Sequence, residues 1–417
     1  MSENLPEFRF DNFNIALQKY SLSEITERVK SYSLSRDVET KEVTGYKYIH
    51  YGDIHRKIAN IIEQKSEIPN IKPGDYELLK QGDIVVADAS EDYQGIATPS
   101  IVDFKTTYKL VSGLHTIALR PIKSDPMYTY YLFNSQKFRK YGYRVGTGMK
   151  VFGISLSNLM KFESYFPSIS EQHRIGIFLR KVDNTIVLQQ QLLDDYKQLK
   201  KAMLQKMFPQ KGESVPRIRF AGFSDVWKEK KLDEMGAFLR GNNISKNDLI
   251  NKGKQKCVLY GELFTIYKEV IYSVVSYTDK DIENPTIAYE NDILFPTSTT
   301  ADALSLINPS SMKDDNVLIG GDISLFRPKE NIIDSSFLSY AINGPLRNEI
   351  SKYAVGTTII HIYSSELKKV NLYIPSLSEQ EKIGNFFKHL DETIEFYEKK
   401  IRTYQELKKA MLQKMFV

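Results

Sequence analysis

The chain has 417 residues, 41% hydrophobic and 26% charged, with 57 Lys+Arg against 52 Asp+Glu, a mildly basic balance that admits nucleic acid without demanding it. At a prior of about 150 residues per domain this is two or three globular domains, and compositional disorder is excluded. No apolar run approaches the ~18 residues of a membrane span, MSENLPEFRF shows no charged-then-apolar leader, and the single cysteine, Cys257, excludes an internal disulfide and a thiolate-clustered zinc, so a cytoplasmic chain is expected.

In chain order, Pro6-Glu7-Phe8-Arg9-Phe10 opens a stretch that reads as mixed α/β. Strand-like runs fall at Tyr46–Tyr51, Asp83–Ala87 and Leu114–Leu119, and a helix-like run at Met127–Tyr141. Pro167 then stops the chain, Ser168-x-x-Glu171 has capping-box spacing, and a long helix is expected up to Phe208. Its apolar residues step by four and three through Ile175, Leu179, Val182, Ile186, Leu193, Tyr196 and Met203, a heptad seam. Gln189 and Lys200 interrupt the seam, and such interruptions weaken a coiled coil but can set its register. PQKGESVP, Pro209–Pro216, is a polar linker.

After the linker the pattern returns. Pro167–Phe208 and Pro375–Phe416 align without gaps at an offset of 208, identical at 22 of 42 positions. The second seam runs through Ile383, Phe387, Leu390, Ile394, Ile401, Tyr404 and Met411, interrupted at Lys408, behind a second capping-box spacing, Ser376-x-x-Glu379. Upstream the match is weaker but keeps its order. Arg9 pairs with Arg219, Tyr51-Gly52-Asp53-Ile54 with Tyr260-Gly261-Glu262-Leu263, and Asp83-Ile84 with Asp292-Ile293. Arg120-Pro121 pairs with Arg327-Pro328, and Val145-Gly146-Thr147 with Val355-Gly356-Thr357. Counterpart strands are expected at Cys257–Leu263, Asp292–Phe295 and Asp322–Phe326, and a helix at Ser335–Tyr353. The chain is thus two tandem copies of one unit. Its parts are a variable domain at 1–166, a helix at 167–208, a linker at 209–216, a second variable domain at 217–374 and a second helix at 375–417.

Catalytic signatures are sparse. There is no G-x4-G-K-[ST] phosphate loop. Gly146-Thr147-Gly148 reads as a tight turn after a helix, since its other copy, Gly356-Thr357-Thr358, loses the second glycine. Asp125-Pro126-Met127-Tyr128 lacks the second proline of an amino-methyltransferase motif. Asp225 with Glu229-x-Lys231 has the residue types of a nuclease, but the other copy has Ile15, Lys19 and Ser21 there. His50 and His55 read as exposed loop residues rather than metal ligands, because Leu259 and Phe264 replace them. No catalytic and no metal site is expected.

Three equivalent loops are rich in groups that hydrogen-bond bases and phosphates or stack on bases. In the first copy they carry His50, Tyr51, His55, Arg56 and Lys57; then Ser90, Tyr93 and Gln94; then Arg144, Thr147 and Lys150. In the second they carry Tyr260 and Lys268; then Thr297, Ser298, Thr299 and Thr300; then Thr357, Thr358 and His361. These are the candidate DNA-binding residues.

Two variable domains alternating with helices that open PSxSEQxxIGxF and close LKKAMLQKMF resemble, over the whole chain, the specificity subunit of type I restriction–modification systems. The resemblance implies α/β target-recognition domains, each reading half of a split DNA target. It implies helices packed as an antiparallel intramolecular coiled coil, giving a pseudo-two-fold chain. It further implies docking of two methyltransferase subunits that carry S-adenosylmethionine, and of motor-nuclease subunits that use ATP and Mg, with no cofactor on this chain. A helix of about 38 residues is ~57 Å long, more than one ~34 Å turn of DNA. Unlike loops imply unlike half-sites. Two other classes stay open. Methyl transfer or cleavage by the isolated chain would mark a self-contained DNA methyltransferase or nuclease. A coiled-coil homodimer without DNA affinity would mark an interaction scaffold.

Overall fold

The computed structural model describes residues 5–417. Contacts divide the chain into two compact units, residues up to Gln190 with Lys399–Val417, and Gln191–Glu398. The boundary cuts through both long helices, because each unit buries the beginning of one helix against the end of the other.

Each unit is built on a five-stranded sheet of the same order. In the first the order is Thr26–Val29, Thr116–Pro121, Ile84–Ala87, Pro99–Val102, Ile61–Ile62; in the second it is Gly236–Arg240, Ile323–Pro328, Ile293–Pro296, Ser310–Met312, Val270–Ile271. The last pair is parallel and the others antiparallel in both units. The central strand is apolar throughout because both faces are covered. Ile84 and Val86 join the aromatic cluster under the helices, while Val85 and Ala87 join a smaller cluster on the opposite face. Ile293 and Phe295 against Leu294 repeat this division. Each unit also has a four-stranded sheet. Three strands are shared, Tyr46–Ile49 between a parallel Lys109–Ser112 and an antiparallel Asn70–Ile71, and Gln255–Val258 between a parallel Val317–Ile319 and an antiparallel Ser276–Thr278. The fourth differs: Glu39–Thr40 lies beside Asn70–Ile71, but Ile287–Ala288 lies beside Val317–Ile319.

The matched motifs turn out to be struts. Arg120 grips the buried Asp83 through two bonds of 2.8 and 2.7 Å, and Arg327 grips Asp292 at 3.0 and 2.6 Å. The Asp53 carboxylate accepts from His50 N–H at 3.3 Å and caps a short helix at Tyr51–His55, while the Glu262 carboxylate accepts from Leu259 N–H at 2.8 Å and braces the turn into Glu262–Thr265. The strand expected over Cys257–Leu263 therefore ends at Val258.

The helix expected at Met127–Tyr141 is two, Pro126–Asn134 and Gln136–Val145. Ser135 divides them, donating to the Leu132 carbonyl at 2.6 Å and accepting from Phe138 N–H at 3.3 Å. Its counterpart breaks after Asn343, at Gly344-Pro345, before Arg347–Ile350. Asp125 and Asp334 cap the first of each pair by accepting from Tyr128 and Phe337 N–H. The Asp-Pro-Met-Tyr string is thus a helix cap.

The long helices are Ile169–Lys206 and Leu377–Lys414, 38 residues each. Their capping-box glutamates do not serve as caps. Arg9 takes both oxygens of the buried Glu171 at 2.8 and 2.7 Å, and Arg219 those of Glu379 at 2.6 and 2.8 Å. The next residue ties each helix to its domain: the Gln172 and Gln380 side-chain oxygens accept from Asp125 and Asp334 N–H, both at 2.9 Å. Gly176 lets the helix Pro126–Asn134 come close, since a Cβ there would stand 3.0 Å from Tyr128 N.

The helices pair antiparallel. In the first unit Ile175 and Leu179 share a core with Met411, Met415 and Phe416. In the second, Tyr196, Met203, Met207 and Phe208 pack with Ile383, Phe387 and Leu390. Tyr196 stacks on Tyr397 at 5.5 Å. Val182, Leu193, Ile394 and Ile401 are buried, and Ile186 and Tyr404 are partly so. The two lysines that interrupt the seam are paired across it. Lys408 meets Asp183 at 2.6 Å, and Asp183 accepts from the Tyr131 hydroxyl at 2.7 Å; Lys200 meets Asp391 at 2.6 Å, and Asp391 accepts from Tyr340 at 2.7 Å. Burial opposes the charge on Lys200, but Glu269 and Asp391 outweigh it and raise the lysine above its ordinary range. At Gln189 the side-chain oxygen is buried without a hydrogen-bond partner among the described residues.

Candidate nucleic-acid interface

In each unit the three loops singled out by sequence converge. In the first, Phe152–Gly153 pairs with Ala89–Ser90, which zips the turn after Val145 to the loop after Ile84–Ala87. His55 Nε2 lies 2.8 Å from the Ala89 carbonyl and brings the first loop to the same point. In the second, Ile360–His361 pairs with Ser298–Thr299, and Ile362 N–H donates to the Thr297 carbonyl at 3.0 Å. The first loop arrives through Asn308, whose amide donates to the Leu263 carbonyl at 2.5 Å.

The turn reveals an equivalence that differs from the one read in sequence. Thr147 bridges Gly153, and Val355 bridges His361. Gly148 and Gly356 both have left-handed backbone, φ +127° and +124°, and in both a Cβ would run into the carbonyl three residues on, of Val151 and Ile359. Gly148 therefore matches Gly356 at the helix offset of 208, where the sequence comparison paired Gly146 with it. Met149-Lys150 stands where the second unit has Thr357-Thr358.

The candidates divide by exposure. His50 is buried rather than exposed, because its Nδ1 accepts from Gly52 N–H at 3.1 Å to cap the short helix. Burial, with Arg36 adding to it, lowers its pKa. Ser90 and Ser298 are also buried, and Ser90 Oγ accepts from Asp92 N–H at 3.2 Å. Tyr51 and His55 are half-buried, with Tyr51 edge-on to His115 at 5.3 Å. Burial pushes the neighbouring Asp88 carboxyl up, and His115 partly offsets it.

Arg56, Lys57, Tyr93, Gln94, Arg144, Thr147 and Lys150 are exposed in the first unit. Tyr93 stacks on Tyr143 at 5.1 Å and donates to its carbonyl, and Arg139 lies over the Tyr143 ring while donating to the Gln94 carbonyl. In the second unit Tyr260, Lys268, Thr300, Thr357 and Thr358 are exposed, while Thr297, Thr299 and His361 are half-buried, with His361 stacked near Tyr363 at 6.3 Å.

A search confined to polar residues missed the apolar tips of the turns. Met149 is 94% and Val151 57% exposed, and Val355 and Ile359 are 53% and 49% exposed. Their signal was available at the offset of 208, where Val151 matches Ile359. Among the described residues no group of three or more His, Cys, Asp or Glu is placed to hold a metal, and no helix is long and apolar enough to cross a membrane.

Comparison with known proteins places this architecture. The profile of the type I restriction modification DNA specificity domain matches residues 14–198 and again 224–406. The MjaVIII specificity subunit of a type I restriction enzyme from Methanocaldococcus jannaschii is 23% identical over 301 residues, 70% of each chain. A crystal structure of the type I restriction-modification S subunit from M. genitalium covers 99% of both chains at a TM-score of 0.61 and 16% identity. A chain from a study of complex assembly and conformational transition of the type I R-M system covers 96% of this chain and 97% of that one, at a TM-score of 0.53 and 15% identity. The chain belongs to the type I restriction modification DNA specificity family. It is a non-catalytic specificity component with two target-recognition domains.

Proposed function

We propose that the chain reads an asymmetric, bipartite duplex target, one recognition domain per half-site. The observation that carries this is the repeated convergence of three loops on one backbone scaffold with different exposed side chains. Exposed Arg, Lys, Gln and Thr are groups that contact phosphates and base edges, and Tyr93 can stack. The long helices dock two adenine methyltransferase subunits, because two copies of one helix surface suit two copies of one partner. Motor-nuclease subunits join that complex. S-adenosylmethionine belongs to the methyltransferase, ATP and Mg to the motor-nuclease, and none to this chain. The complex works in the cytoplasm.

The test is co-expression with the methyltransferase, weighing of the complex and mapping of methylated adenines. One chain per two methyltransferases and an asymmetric split site are expected. A 1:1 mass ratio would contradict the docking, and a palindromic site would contradict two unlike readers. Seven residues inserted after Gln190 and seven after Glu398 lengthen both helices by about 10.5 Å. The same half-sites should then be methylated across a gap about 3 bp longer, at ~3.4 Å per base pair.

A further inference from the structure

The helix Gln136–Val145 runs straight into the first unit's recognition turn and carries Lys137, Arg139, Lys140 and Arg144 with no carboxylate. Arg139 is turned inward onto the Gln94 carbonyl. The other three, joined by Lys161, line an open groove of about 360 Å³. Their spacing puts like charges three and four residues apart, where they repel on one helix face unless something anionic relieves them. The carboxylate on the groove, Glu163, is held by Lys19 at 2.5 Å. Arg144 rests over the Tyr141 ring and Lys137 over Tyr165, each at 5.5 Å. Burial, with Lys19 adding to it, outweighs Glu163 and holds Lys137 below the ordinary lysine range.

The second unit has the equivalent groove with its charge balanced, Lys211 and Lys369 standing against Glu229 and Glu349 on its lining. The stretch Gly344–Tyr353 has two cations, Arg347 and Lys352, against Glu349, and Lys352 pairs with Glu349 at 3.0 Å. Linker residues Pro209, Gln210, Lys211 and Gly212 line that groove. The difference lies in the charge and occupancy of one shared backbone feature.

We propose that the first unit's groove is a phosphate track, seating the backbone of duplex DNA beside the base pairs met by the recognition turn and anchoring that half-site more firmly than the second unit anchors its own. Lys137 to Arg144 spans ~10.5 Å, the axial rise of about three phosphates on one strand. The cations continue into Lys150, which is exposed on the turn. This continuity favours DNA over an acidic protein face. The inference rests on the DNA-reading function proposed above and adds which residues hold phosphate and on which side.

The experiment measures DNA affinity of the full chain, assembled with its methyltransferase, over a range of salt. Each phosphate contact contributes about 0.9 to the slope of log K against log salt, so K140Q/K161Q should flatten the slope by about 1.8. Between 50 and 200 mM salt the unmodified complex should lose about tenfold more affinity than the variant. Base preference at both half-sites should be unchanged, and K140R/K161R should keep the original slope. K211Q/K369Q in the second unit, whose lysines face Glu349 and Glu366, should change the slope less than half as much. An unaltered slope in K140Q/K161Q with specific binding intact would overturn the track and leave the reading function standing. Absence of sequence-specific binding by the unmodified complex would instead overturn that function. Loss of methyltransferase from the K140Q/K161Q complex would assign the groove to a protein partner and overturn the track.

Discussion

Glu171 and Glu379 are buried and held by Arg9 and Arg219 in matching geometry, whereas the exposed turn tips Met149-Lys150 and Thr357-Thr358 share a backbone and no side chain. The struts Arg120–Asp83 and Arg327–Asp292, and the chains Tyr131–Asp183–Lys408 and Tyr340–Asp391–Lys200, follow the first pattern. A buried ion pair that loses one member strands a charge, so both partners are constrained together. A loop tip anchored by a glycine turn and a two-residue ladder can change side chains without disturbing what lies beneath. The contrast shows how one duplicated frame can carry two different sets of exposed side chains.

The largest expected effect comes from cutting the chain. A fragment ending at Gln210 lacks Lys399–Val417, whose Met415 and Phe416 complete the first unit's core, with Phe416 5.0 Å from Tyr128. The same closing sequence, LKKAMLQKMF, is present in the fragment at Leu199–Phe208. Two fragments should therefore exchange helix ends, with Lys200 of one meeting Asp183 of the other, to form a dimer with true two-fold symmetry. Light scattering should report a dimer, and with the methyltransferase the methylated target should become an interrupted palindrome. A folded monomer would break the equivalence of the two helix ends.

Removing an arginine strut comes next. R9A leaves Glu171, and R219A leaves Glu379, buried without a counter-charge, so each should cost about 3–5 kcal/mol in its unit. Amide exchange resolved by unit checks this. Equal losses support equivalent frames, and indifference in one unit would show that its glutamate is held otherwise. At the tips, T300A/T357A/T358A should weaken one half-site by about 1–3 kcal/mol per lost base contact and leave the other unchanged, as read by competition binding. Equal weakening on every sequence would mean that these threonines touch phosphates.

The smallest effect separates the units by pH. His50 has a lowered pKa in the folded chain, first through burial, and Leu259 takes its place in the second unit. A depressed histidine favours folding fully above the unfolded value of ~6.5, and that contribution is lost as pH falls below it. Amides of Tyr51–His55 should lose protection between pH 7 and 5 relative to Glu262–Thr265. Equal behaviour would show that the histidine cap carries no stability.

The sequence by itself determined the duplication, the two long helices with their seams and the three loops that converge in each unit. Heptad spacing and repeated motifs are local in the chain, so periodicity and self-comparison expose them. It also marked Glu171, Asp83, Gly176 and Lys408 as repeated, without showing what holds them. Their partners Arg9, Arg120, Tyr128 and Asp183 lie between 37 and 225 residues away in the chain. Only the tertiary structure decided that the capping-box glutamates serve arginines, that His50 and Ser90 face inward, and that Gly148 answers Gly356. The last case is instructive: the backbone conformation at positive φ is what the two units share there, and with Met149-Lys150 facing Thr357-Thr358 the letters around it offer no identity to align. Which side of the first recognition domain is cationic was likewise decided by packing. It set Lys161 beside Lys137, Lys140 and Arg144, and paired Glu163, on the same groove, with Lys19.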